Sequence, residues 1–223
     1  MKYKTVVPAV FLRRPNRFIA HVLLDGQETI VHVKNTGRCR ELLVPGSPVW
    51  LAAAENPARR TQYDLIAVRK ENGMLINMDS QAPNAAVGEW LAEQDFDRVA
   101  PERRYGDSRV DFAMERSGAR YLMGVKGCTL EKDGIGYFPD APTARGVKHL
   151  RELSRASREG FRAILAFVIQ MEGIDTVLPN AETDPAFAAA LSDAQNAGVR
   201  ILYLTCHVEP DELTITAPGI TDF

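Results

Sequence analysis

Ser108-Arg-Val-Asp-Phe-Ala-Met-Glu115 and Arg120-Tyr-Leu-Met-Gly-Val-Lys-Gly-Cys-Thr129 carry apolar and branched residues at strand spacing, and Arg116-Ser-Gly-Ala119 between them predicts a tight turn. The two stretches therefore read as a β-hairpin. Apolar neighbours flank Asp111 in the first strand and Lys126 in the second. A carboxylate or an ammonium is costly to bury unless it has a partner or chemistry to perform. The hairpin thus marks the place where this chain keeps its most informative charges.

Outward from the hairpin the pattern is mixed α/β. Ala82–Gln94 reads as a helix with Val87, Trp90 and Leu91 on its apolar face. After the hairpin, Gly146–Glu159 reads as a helix stopped at Gly160, and Phe161–Met171 as a buried strand. Pro185–Asn196 is an Ala-rich helix closed by Gly198, and Val199–Val208 is the last strong strand. Helix, hairpin, helix, strand, helix, strand is the restriction-endonuclease-like plan. On the 146–159 helix, Lys148, Arg151, Arg155 and Arg158 form a stripe beside the face of Leu150 and Leu153. That stripe is placed to meet a nucleic-acid backbone, or is a solvated face tied by intrahelical ion pairs.

The front of the chain reads as all-β, with candidate strands Lys4–Leu12, Arg17–Leu24, Gln27–Lys34, Pro48–Ala54 and Tyr63–Arg69. Asp25-Gly26 between two alternating runs is a hairpin signal. Five short strands without a helix predict a small barrel of the oligonucleotide-binding (OB) type. Arg13, Arg14 and Arg17 cluster around Pro15, and Arg38 and Arg40 lie in the 35–46 loop. Either group could hold backbone phosphates, which fix position without reading sequence, or could be solvated turn arginines.

The 223 residues carry a formal net charge of −2, but residues 1–72 carry +6 and the remainder −8. A basic front on an acidic whole hints at a polyanionic partner. The longest apolar run, Ala163–Ile169, is strand-sized, and no secretory signal pattern opens the chain. Cys39, Cys128 and Cys206 are widely spaced, which suggests reduced thiols and a cytoplasmic location. No phosphate-binding P-loop or Gly-x-Ser-x-Gly elbow is present.

The hairpin resembles the core of metal-dependent phosphodiesterases, Asp followed by Asp/Glu-x-Lys on adjacent strands. Over nearly its whole length the chain resembles the sugar fermentation stimulation protein A family. The resemblance is carried by Gly136-Tyr-Phe-Pro-Asp-Ala-Pro-Thr-Ala-Arg-Gly-Val-Lys-His-Leu-Arg-Glu-Leu153, Asn35-Thr-Gly-Arg38 with Glu41-Leu-Leu-Val-Pro-Gly46, and Tyr105-Gly-Asp-Ser-Arg-Val-Asp-Phe112. It implies an α+β chain: an OB-like β-barrel over 1–81, followed by a restriction-endonuclease-like α/β domain over 82–223. It also implies DNA binding of low sequence specificity and a role in regulating sugar (maltose) utilisation. Arg145, inside the first block, joins Arg13, Arg14, Arg17, Arg38, Arg40, Lys148, Arg151 and Arg155 as a DNA-binding candidate.

The departure from the family is at position 124, where the pattern implies Glu-Val-Lys and this chain has Gly124-Val125-Lys126. Asp111 alone would hold Mg²⁺ or Mn²⁺ weakly. The expectation is therefore a DNA binder, duplex more than single strand, whose nuclease-like site is impaired. The alternative is an active metal-dependent nuclease using Asp111, Lys126 and a substitute acid. Glu152 or Asp140 would supply that acid; separately, the resemblance implies that Glu89, which corresponds to a family acid on the first helix, joins Asp111 in the catalytic and metal shell through water, the alternative being a solvated Glu89.

Overall fold

The computed structural model describes residues 1–35, 37–56, 58–106 and 108–220. Thr36 and Asp107, which fall in two of the motif blocks, lie outside the described residues. The front of the chain forms β1 (Val6–Asn16), β2 (Ile19–Leu24), β3 (Gln27–Val33), β4 (Pro48–Ala53), β5 (Tyr63–Arg69) and β6 (Leu75–Asn77). The strand order is β3-β2-β1-β4-β5-β6, and a parallel pairing of β3 with β5 closes the first five strands into a barrel. Asp25 and Gly26 both take positive φ, 49° and 78°, as a two-residue hairpin turn requires. The barrel is filled by alternate residues such as Phe11, Val22, Val31, Val49 and Leu65, all buried.

The second part begins with α1 (Ala82–Ala92), followed by β7 (Arg98–Tyr105), β8 (Ser108–Arg116), β9 (Ala119–Cys128), β10 (Leu130–Lys132) and β11 (Ile135–Phe138). It continues through α2 (Ala144–Arg158), β12 (Arg162–Ile169), β13 (Val177–Pro179), α3 (Pro185–Asn196), β14 (Arg200–Leu204), β15 (Cys206–Glu209) and β16 (Glu212–Ile215). The main sheet has the order β14-β12-β9-β8-β7. Its β7-β8-β9 part is an antiparallel meander, and β12 and β14 add in parallel. Trp90 and Leu91 of α1 pack on the face that shows Met123 and Val125. Leu150 and Leu153 of α2, with Phe187 of α3, pack on the face that shows Leu122 and Leu165. Thr143 caps α2 by accepting from the Gly146 amide at 3.0 Å, and Asp184 caps α3 by accepting from Phe187.

The architecture is the expected one, an OB barrel followed by a mixed α/β domain; the short strands β6, β10, β11, β13 and β16 are added to it, and two larger features differ from expectation. Nothing in the sequence reading anticipated β7. Its segment, Arg98-Val-Ala-Pro-Glu-Arg-Arg-Tyr105, is an edge strand, mostly exposed, with a proline and three arginines. Those features blunt an edge and erase the alternation that reveals a strand. The strand expected over Val199–Val208 is two strands. The β12–β14 ladder ends with Val168 opposite Leu204, and the chain then leaves the sheet so that β15 can pair with β16.

Candidate nucleic-acid interface

The β8–β9 ladder runs from Arg116 opposite Ala119 to Phe112 opposite Met123. Just beyond it the Asp111 carboxylate, through Oδ2, accepts the Val125 amide at 2.7 Å. Its other oxygen accepts from the Asn84 side-chain amide of α1 at 3.1 Å. Asp111 is thus fixed from two sides. The Lys126 ammonium donates to the Val125 carbonyl at 3.0 Å and lies 3.3 Å from His149 Nδ1 on α2. Burial pulls Lys126 below the usual lysine range, with Asp111 opposing and Arg145 reinforcing the shift. Burial, and then Lys126 itself, push His149 below its ordinary value. A neutral His149 accepting at Nδ1 is the state consistent with that contact.

These groups line a cleft of about 630 Å³ between the barrel and the α/β domain. The barrel contributes Arg17, Asn35, Gly37 and Arg38, and the other wall includes Asp140, Arg145 and His149. Arg17, Arg38 and Arg145 are exposed, and none of their guanidinium groups makes a hydrogen bond or ion pair among the described residues. Arg145 and His149, one turn apart on α2, face the cleft.

The remaining candidates are not brought there. Glu89 is exposed and pairs with the Met1 amino group at 2.7 Å; it is not among the residues lining the cleft. Lys148 lies 3.9 Å from Glu152, and Arg155 lies over the Tyr105 ring and 3.8 Å from Glu159. Arg151 is exposed on the same side of the helix, away from the cleft lining. Arg13 pairs with Glu28, which also meets His21, and Arg40 is exposed in a neighbouring depression. The Arg14 guanidinium is turned onto backbone carbonyls. Of the substitute acids, Asp140 lines the cleft and Glu152 does not. Sequence reasoning missed Asn84, since a surface amide on a helix carries no signal until Asp111 is seen beneath it.

A divalent cation finds few ligands here. Gly124 offers no side-chain donor atom, Asp111 already accepts on both oxygens, and no cluster of three or more His, Cys, Asp or Glu suited to a metal occurs among the described residues. One carboxylate leaves most of the coordination shell to water or phosphate, so the protein residues do not make a metal site by themselves.

A family model described as the sugar fermentation stimulation protein RE domain matches residues 81–212, and one described as the SfsA N-terminal OB domain matches residues 12–78. A sugar fermentation stimulation protein homolog of Desulfitobacterium hafniense is 50% identical over 216 residues, covering 96% of this chain and 94% of its own. A homolog of Ruminiclostridium cellulolyticum is 48% identical over 213 residues, covering 94% of both chains. Among solved structures, that of Pyrococcus furiosus SfsA in complex with Ca²⁺ superposes with a TM-score of 0.85 at 28% identity, covering 97% of this chain and 95% of that one.

Proposed function

The chain belongs to the sugar fermentation stimulation protein family, and from that premise and the cleft geometry we propose that it binds DNA through phosphate contacts, without reading sequence. One observation carries this reading. Arg17 and Arg38 from the barrel and Arg145 from the α/β domain, all without ion-pair partners among the described residues, open onto one cleft with Lys126 at its wall. Against those four cations the cleft sets the carboxylates of Asp111 and Asp140. The excess suits a polyanion, and arginine's fork suits phosphate oxygens. Duplex DNA is the proposed partner, because exposed Arg151 and Arg158 on α2 extend the basic surface beyond the cleft. The barrel and the α/β domain, divided near residue 81, would each supply one wall. Any regulation of sugar (maltose) utilisation would act through this binding.

The test is fluorescence anisotropy with labelled duplex and single-stranded oligonucleotides between 50 and 200 mM salt. With about four phosphates held, log K falls against log salt with a slope of about −3.6 on duplex. Arg145→Ala is expected to bring the slope about 0.9 closer to zero. A flat salt response sinks the reading.

A second reading, a cation-dependent phosphodiesterase, is favoured by Asp111 and Lys126 sharing the cleft and by the relative solved with Ca²⁺. With position 124 occupied by Gly, the expected result is no cleavage in Mg²⁺ or Mn²⁺. Scission that disappears in Asp111→Ala would establish this reading instead.

A further inference from the structure

Arg14 stands at the end of β1, next to the tip that carries Arg17. Its Nη1 donates to the carbonyls of Gly37 at 3.0 Å and Arg38 at 2.9 Å. Its Nη2 donates to the carbonyls of Arg17 at 2.8 Å and Asn35 at 2.6 Å. The fifth N–H, on Nε, is buried, with no hydrogen-bond partner that meets normal geometry among the described residues. A guanidinium has five N–H groups. Four are spent on backbone carbonyls and the fifth is enclosed, so none is left for a ligand.

The carbonyls belong to two separate loops, and those loops carry the two barrel arginines that reach the cleft. Each loop is also shaped from within. Asn16 Oδ1 accepts the amides of Phe18 and Ile19 at the β1–β2 tip, and Asn35 Oδ1 accepts the Gly37 amide. The second loop is pressed onto the other domain, since a Cβ on Gly37 would stand only 2.1 Å from Asp140 Oδ2. With glycine there, the Asp140 carboxylate lies against the loop, and any larger residue would require that side chain to turn aside. Among the described residues, the Arg14 guanidinium is the side chain that bonds to both loops.

We propose that Arg14 is a positioning residue: it locks the Arg17 and Arg38 loops together so that their side chains form a pre-set clamp for two phosphates of one nucleic-acid backbone. The inference rests on the cleft reading above and adds to it the way the barrel wall is organised. A clamp built in advance does not lose loop freedom on binding, which is the usual cost of ordering flexible cations around a polyanion. Lysine cannot replace Arg14, because a single ammonium has three donors and no planar fork to span two loops.

The experiment compares the salt dependence of oligonucleotide binding in the full chain, Arg14→Lys, the pair Arg17→Ala with Arg38→Ala, and the triple variant. The pair is expected to bring the slope about 1.8 closer to zero on duplex. Arg14→Lys, although it keeps the charge, is expected to give a comparable loss, and the triple variant to lose little more than the pair. A slope that Arg14→Lys leaves unchanged, in a protein still folded by circular dichroism, overturns the proposal while leaving the cleft reading intact. No salt-dependent binding by the unaltered chain overturns both. If Arg14→Lys fails to fold, Asn35→Ala decides, because it loosens only the Arg38 loop and removes no charge. Asn35→Ala is expected to bring the slope about 0.9 closer to zero; an unchanged slope there overturns the clamp.

Discussion

Gly124 and Asp111 face one another across the β8–β9 hairpin, and a Cβ at position 124 would stand 3.9 Å from Asp111 Oδ2. Its nearest other neighbours are the Leu153 and Leu165 methyl groups at 3.3 and 3.6 Å. The first must yield by a few tenths of an ångström, which the end of a leucine side chain can do. Position 124 therefore points at the place where a second carboxylate would complete a cation site.

Gly124→Glu is expected to raise the affinity for Mn²⁺ by at least about tenfold, read by calorimetry. Metal-dependent cleavage of DNA should appear with it, and Asp111→Ala in the same background should remove both. Unchanged Mn²⁺ affinity would mean that the two side chains do not share an ion.

Gln170, at the end of β12, donates to the Asn77 carbonyl, to Asn77 Oδ1 and to the Asp79 carbonyl at 3.0–3.1 Å, and its backbone carbonyl accepts the Asn77 amide. It ties the segment leaving the barrel to the core of the α/β domain. Gln170→Ala would leave buried carbonyls bare and should lower stability by about 2–4 kcal/mol. A urea midpoint that does not move would show that water replaces the amide at no cost.

Asp64 is buried, accepts two bonds from the Arg59 guanidinium, and lies 3.0 Å from His32 and 3.2 Å from Lys34. Burial alone would raise its carboxyl, but Arg59, Lys34 and His32 together bring it down to about 2. The unfolded carboxyl titrates near 3.9, so the folded chain binds this proton less readily. The stabilisation is fully present above about pH 4 and is lost as the pH falls towards 2. Asp64→Asn should lower Tm at pH 7 and flatten its acid limb, the two curves converging at low pH. Parallel curves would assign the acid sensitivity to other groups.

Cys39, Cys128 and Cys206 are buried, and burial pushes each thiol up to about 12. At pH 8 only about one in ten thousand of each is thiolate. A chromogenic disulfide reagent should therefore label the native protein slowly and all three thiols promptly in denaturant. Fast labelling of one thiol would reveal local opening at that residue.

Much of this was legible in the sequence because the signals are local. Alternation and the Asp25-Gly26 and Ser117-Gly118 turns report hairpins that fold on neighbouring residues. The helices over 82–92 and 185–196 follow from apolar spacing and an adjacent proline. β7 was not legible, because an exposed, charged edge has no pattern to show. Within the candidate interface, Asp111 and Lys126 could be picked out as charges among apolar neighbours. Arg14 could not be told from Arg17, because both are arginines of one turn and only their partners differ. The α2 stripe illustrates the same limit. A helix wheel gives the angle between Lys148 and Arg145, but not which of them the barrel faces.

Local spacing alone settles the order of elements, the barrel followed by the α/β domain, and the placement of Asp111 and Lys126 on adjacent strands of one hairpin. Each depends on residues close along the chain, where spacing translates directly into geometry. Tertiary structure alone decided that Arg17, Arg38 and Arg145 share a cleft, that Arg14 is spent on holding loops, and that Glu89 stands apart. Those relations join different loops and elements, within the barrel for Arg14 and across the two domains for Arg145, and only tertiary packing fixes them.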